Sequence, residues 1–205
     1  TDPAQIRKID SIQVDARTVN DVKVSEDGRI SVISREGASS RRNGIVIIDT
    51  TNPYDVNIIS EYTTNLTGGV HNVFIYQDHV FALSNGERFY VINIEDPKNP
   101  YEVGMFEIGE KGQAIHDVWI EDGIAYSSNW KHGVYIIDVG NGVAGGSPSN
   151  PVVMSNYSYE SGAHHATCPF KSKSTGKFYT ILGDEIFPQG IDLYSTNETA
   201  GFLHF

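Results

Sequence analysis

Cysteine is nearly missing from this chain. Cys168 is the only one in 205 residues, which excludes an internal disulfide. Its setting, His164-His165-Ala166-Thr167-Cys168-Pro169-Phe170, predicts a buried, inert thiol. Long apolar runs are missing too, so no transmembrane helix is expected. The first residues, TDPAQIRKIDSI, lack the charged and then apolar pattern of a secretory leader. Cationic side chains are scarce: 15 Lys and Arg stand against 26 Asp and Glu, a net charge of −11. A nucleic-acid binder needs clustered basic residues, so that class is disfavoured. The short basic segments Ser39–Asn43 and Lys171–Lys177 read as solvated turns. No segment sustains a helical period. The sequence also lacks G-x-S-x-G, a Walker loop, H-E-x-x-H and paired-cysteine zinc patterns, which removes several enzyme classes with known signatures.

Aromatics and glycine are plentiful, with 11 Tyr, 9 Phe and 20 Gly, as suits a β-rich protein with many tight turns. The strongest signal is self-similarity. The stretch Gly68–Ile94, GGVHNVFIYQDHVFALSNGERFYVINI, is nearly repeated by Gly112–Val139, GQAIHDVWIEDGIAYSSNWKHGVYIIDV. Within each copy an apolar run, a polar turn and a second apolar run precede a third strand. The turns are Glu26-Asp27-Gly28, Gln77-Asp78-His79 and Glu121-Asp122-Gly123. The third strands align as GIVIIDTTNP from Gly44, RFYVINIEDP from Arg88 and GVYIIDVGNG from Gly133, with a looser copy, GIDLYSTNET, from Gly190. A fourth strand follows Asn52-Pro53, Asn99-Pro100 and Asn150-Pro151, where proline is tolerated because it precedes the strand. Four short strands, A to D, in about 45 to 50 residues are the signature of a β-propeller blade.

The expected architecture is therefore one all-β propeller domain over residues 1–205. Its blades are antiparallel and four-stranded, over residues 20–69, 70–115, 116–163 and 164–205, and residues 1–19 are expected to form the orphan outer strand of a preceding blade. The final AGFLHF is expected to be the outer strand of the last blade. Four repeats and an orphan strand make the chain, on this expectation, part of a longer propeller. The Gly/Ser-rich GNGVAGGSPSNP from Gly140 is expected to be a flexible surface insertion open to a partner.

The third-strand motif, carried by Gly44–Pro53, Arg88–Pro97, Gly133–Asp138 and more weakly Gly190–Asn197, resembles the LVIVD repeat. The third copy departs from the motif by its insertion, and the fourth has Ser195 where the motif has Asp. The resemblance implies a β-propeller in an extracytoplasmic setting: periplasmic, secreted or on the cell surface. It implies little about activity.

In a propeller the A strand lines the central channel. Its start holds Asn20, His71, His116 and His165, one per repeat, while the end of B holds Glu36, Glu87, Trp130, Asp184 and Glu185. All are expected around one channel mouth, facing a protein or small-molecule ligand. Adjacent strand residues point to opposite faces, so of His164 and His165 only the latter is expected to face the channel. One reading makes each His and its follower, as in His71-Asn72 and His116-Asp117, a hydrogen-bonded tie between blades. The other makes His71, His116 and His165 ligands of a transition metal, since neutral imidazole suits Zn, Cu, Fe or Ni. Glu87 or Glu185 would then orient a ligand, and Asp184 and Glu185 could serve as acid and base. Asn20, Glu87, Trp130, Asp184 and Glu185 are the remaining candidate ligand contacts. The favoured function is a binding or scaffold module; the alternative is a metal-dependent enzyme such as an oxidoreductase. Trp119 is expected in blade packing and Trp130 in an exposed loop.

Overall fold

The computed structural model describes residues 3–111, 113–159 and 163–185, with the backbone of 203–204. Beyond a 3-10 turn at Pro3–Gln5, the assigned structure is antiparallel strand. Sheet I comprises β1 (Val22–Val24), β2 (Ile30–Arg35), β3 (Gly44–Asp49) and β4 (Asn57–Tyr62). Sheet II comprises β5 (Val70–Tyr76), β6 (His79–Ser84), β7 (Arg88–Asn93) and β8 (Tyr101–Phe106). Sheet III comprises β9 (Asp117–Glu121), β10 (Ile124–Ser128), β11 (Val134–Asp138) and β12 (Val152–Tyr157). Sheet IV has three strands, β13 (His164–Lys171), β14 (Phe178–Asp184) and β15 (Leu203–His204). Strands meander in chain order, as local hairpin turns require. Asp122 and Gly123 make the β9–β10 turn with φ of 51° and 74°, the two positive angles that match the twist of a two-residue hairpin.

The sheets stack in chain order, β1 beside β5, β5 beside β9 and β9 beside β13. Strand periodicity explains how one sheet feeds two cores. Val80 and Ala82 of β6 pack with Val32, Ile45 and Ile47 of sheet I. Phe81 and Leu83, the alternate residues, pack with Val118, Ala125 and Ile137 of sheet III. A smaller cluster of Tyr126, Val134 and Leu182 joins sheets III and IV. The repeat reaches down to register: the ladder to the outer strand slips at Ile47/Ile48, at Val91/Ile92 and at Ile136/Ile137. The described residues show stacked sheets and not a closed ring.

Residues 6–16 pair with no strand among the described residues; Ile12 and Val14 line a shallow apolar hollow with Val22, Ile33 and Ile48 of sheet I. Capture of amides holds the segment there: Asp10 accepts from the Val56 N–H at 2.9 Å, and Asp15 from Ser39 and Ser40 at 2.8 and 3.0 Å. Leu203 and His204 pair directly with β14, opposite Gly183 and Leu182, and so take the third position of sheet IV, not the outer one. The looser third-strand copy at 190–199 lies outside the described residues. Cys168 is exposed, because its side of β13 faces away from sheet III.

The Gly140 insertion is the largest surprise. Asp138 is fully buried and its carboxylate accepts four backbone N–H bonds, from Gly140, Gly142, Ala144 and Gly146, at 2.8 to 3.1 Å. Burial pushes the Asp138 carboxyl up, but the four amides together outweigh it and hold the group down at about 2. The loop then lies over β8, where a side chain at Gly104 would meet the Pro148 carbonyl. Its glycines serve to curl the backbone around a charge, so the segment is fixed where a flexible insertion was expected.

A histidine-lined hollow at the strand starts

The histidine positions coincide with irregular pairing. In sheet II, Val70 pairs with Ser84 and Val73 with Ala82, so His71 and Asn72 fall in a bulge. In sheet IV, His164 pairs with Asp184 and Ala166 with Gly183, which leaves His165 as the extra residue. His116 stands just before β9, with its N–H on the Ser128 carbonyl at 2.8 Å. A bulge frees a residue from the ladder and re-aims its side chain. These side chains open onto one hollow of about 1030 Å³, shared by Asn20, Glu36, His71, His116, His165 and Glu185.

His116 is the hub. Its ring centroid lies 4.1 Å from that of His165, 4.9 Å from that of His71 and 5.4 Å from the Trp130 ring. A nitrogen of His116, a nitrogen of His165 and a carboxylate oxygen of Glu185 all lie within 4.8 Å of one another. Burial, and then the neighbouring imidazoles of His165 and His71, lower the His116 pKa to about 4 against the opposing pull of Glu185. At neutral pH the ring is therefore uncharged, with a lone pair to offer.

His71 is held differently. Its Nδ1 sits 3.2 Å from a Glu36 oxygen and its Nε2 3.3 Å from the Asn20 amide. Both nitrogens are engaged, which takes His71 out of the expected three-histidine set. Asn20 also donates to the Asn72 side chain at 3.0 Å. At the boundary of sheets I and II both His71 and the residues that follow in the pattern make ties, His71 to Glu36 and Asn20. Asp21 accepts from the Val73 N–H at 3.1 Å and Asn72 donates to Asp117 at 2.9 Å, each across a sheet boundary. Burial pushes the Asp117 carboxyl up, while the Asn72 bond draws it back.

The other candidates divide. Trp130 lines the hollow half-buried, while Trp119 is 39% exposed and meets Phe74 edge-on at 5.5 Å. Trp130, whose backbone pairs with His164, thus stands among the candidate ligand contacts, and Trp119 packs across the boundary between sheets II and III. Glu87 is not in the hollow: it faces a separate one of about 180 Å³ and approaches Arg88 at 3.5 Å. Asp184 is buried and accepts from the Tyr159 hydroxyl at 2.8 Å, so it is a structural partner, not an exposed acid. His164 is also fully buried, 2.8 Å from the Tyr159 hydroxyl and 2.7 Å from the Thr167 hydroxyl. His165, the extra residue of its bulge, and Glu185, just past the end of β14, face the hollow. Glu36, at the end of β2, emerges as a further contact; the sequence placed it beside the channel without assigning it a task.

These features define a class: an all-β protein of stacked antiparallel sheets, with a polar hollow where the first strands of the sheets begin. No protein-family model and no curated protein matches the chain. Solved structures do. A putative 6-phosphogluconolactonase from Bacteroides uniformis is 14% identical with a TM-score of 0.59, over 80% of this chain and 49% of that one. The C-terminal domain of Pseudomonas aeruginosa PilY1 is 13% identical with a TM-score of 0.48, over 78% of this chain and 41% of that one. The chain thus spans about half the length of the first of these. The likeness to the first is one of fold.

Proposed function

We propose that this chain is part of a β-propeller of the LVIVD-repeat type that works as a binding module outside the cytoplasm, with the hollow as its ligand site. The recurring third-strand motif and the stacking of sheets in chain order support the propeller reading, and the resemblance supports the location. The observation that carries the binding reading is the hollow's charge. Glu36 and Glu185 line it against the guanidinium of Arg17, which is 75% exposed and 3.8 Å from Glu36, while Asp21, also in the wall, is paired with Lys23 at 2.9 Å. The imidazoles of His71, His116 and His165 and the Trp130 indole complete the wall. Such a surface favours a cation over an anion.

Calorimetric titration with spermidine, and with 6-phosphogluconate as an anionic probe, tests this. Spermidine is expected to bind, and a Glu36→Gln, Glu185→Gln double variant to lose that binding. Binding of the anion alone, or spermidine uptake untouched by the double variant, overturns the reading.

A further inference from the structure

We propose that His116, His165 and Glu185 form a three-ligand centre for a divalent transition metal within this hollow. The inference rests on the cation-binding reading above and names the cation. It starts from placement. The three donors come from three different stretches of chain: the residue before β9, the bulge in β13 and the residue after β14. Two sheets must stack for them to meet, and they meet with donor atoms within 4.8 Å of one another.

The ring chemistry then separates His116 and His165 from His71. Two imidazoles packed at 4.1 Å and tilted by 37° gain little from each other without something between their lone pairs. Nδ1 of His116 is buried and has no hydrogen-bond partner among the described residues. The ring's remaining polar contact is to the His165 backbone. A metal-ligating histidine commonly has this arrangement: one nitrogen bare for the ion, the other steadied by a carbonyl. His71, with Glu36 on one nitrogen and Asn20 on the other, has none bare. It meets His116 edge-on and buttresses it.

Two imidazoles and one carboxylate select a first-row transition ion over calcium or magnesium, which prefer all-oxygen sites. With metal–ligand bonds of about 2.1 Å, tetrahedral donors stand roughly 3.4 Å apart. Closing from 4.8 Å takes side-chain rotation of about an ångström, and Glu185 is exposed enough to supply it. Three protein ligands leave at least one position open toward the hollow and Trp130, which suits a site that holds a further ligand on the metal.

The test is a Co(II) titration of tag-free protein freed of metal by chelation, read by visible absorption, with metal content of untreated protein measured in parallel. One Co(II) per chain is expected, with intense bands of low coordination number. His116→Ala and His165→Ala should each weaken binding at least about a hundredfold, Glu185→Gln about tenfold to a hundredfold, and His71→Ala less than about threefold. His116→Gln, closer in size, guards against a variant that fails to fold; it should match His116→Ala in Co(II) affinity while keeping the wild-type circular dichroism. The proposal is overturned if Co(II) does not bind stoichiometrically, if binding survives His116→Gln, or if His71→Ala removes it as fully as His165→Ala. Spermidine uptake without Co(II) uptake sinks the metal centre and leaves the cation-binding hollow standing; uptake of neither sinks both.

Discussion

The tie between sheets II and III offers the sharpest energetic test. Asn72→Ala removes the 2.9 Å bond to Asp117 and the 3.0 Å bond from Asn20. Asn20 is exposed and water replaces that bond, so it contributes a few tenths of a kcal/mol at most. Asp117 is different, because burial already pushes its carboxyl up. A hydrogen bond to a charged group contributes about 1.5–3 kcal/mol, and a buried acceptor left bare loses it in full. The expected loss is about 2–3 kcal/mol, or about 4–12 °C in thermal midpoint for a chain of this size. In an Asp117→Asn background no charge is stranded, and the same Asn72→Ala change should cost only about 1 kcal/mol. The double-mutant cycle, measured by urea denaturation at neutral pH, should thus return a coupling of about 1–2 kcal/mol. A loss below about 0.5 kcal/mol for Asn72→Ala, or additivity within about 0.5 kcal/mol, would refute the assignment of inter-sheet fastening to this pair.

Three further expectations follow from the fold. Asp138 has a folded pKa of about 2, below its ordinary 3.8, so its stabilising contribution is complete above about pH 4 and vanishes as pH falls through about 2. Asp138→Asn should flatten acid denaturation across that window, and the Gly140–Asn150 loop should become the first site of proteolysis. Gly133→Ala should destabilise by about 2 kcal/mol or more, since φ is 73° and a Cβ would strike the Tyr157 carbonyl. Gly142→Ala, at φ 83° with open space around it, should cost about 1 kcal/mol, and equal losses in the two variants would argue against that contact. His164→Ala, which empties a fully buried site bonded to Tyr159 and Thr167, should lower stability by about 2–4 kcal/mol and leave Co(II) affinity unchanged, the opposite of His165→Ala.

What could be read from the sequence was set by periodicity. The third strands show as GIVIID, RFYVIN and GVYIID because both faces of an inner strand are buried, which forces a run of apolar residues. The Asp122-Gly123 turn shows because only such residues accept its angles cheaply. At the start of the chain residues 11–18 alternate in exposure like a strand, while Asp10 and Asp15 bond the amides of Val56, Ser39 and Ser40 through their side chains. Pairing of His116 with His165 was legible from the repeat, but the separation of His71 from them was not, because it turns on the side-chain partners Glu36 and Asn20. Glu185 was visible as a candidate but no more so than Glu87. Glu185 follows the end of β14 directly and lines the hollow, whereas Glu87 stands further past the end of β6 and turns toward Arg88. The cradle around Asp138 left a trace in its spaced glycines, which composition alone reads as looseness.

The bulges that carry His71 and His165 have an evolutionary and engineering corollary. A residue outside the ladder answers to no cross-strand neighbour, so its identity can change without disturbing the register of its sheet. His71 and His165 are therefore two sockets on a fixed frame. Asn20 is not a third, since its amide holds His71 and Asn72 across the sheet boundary.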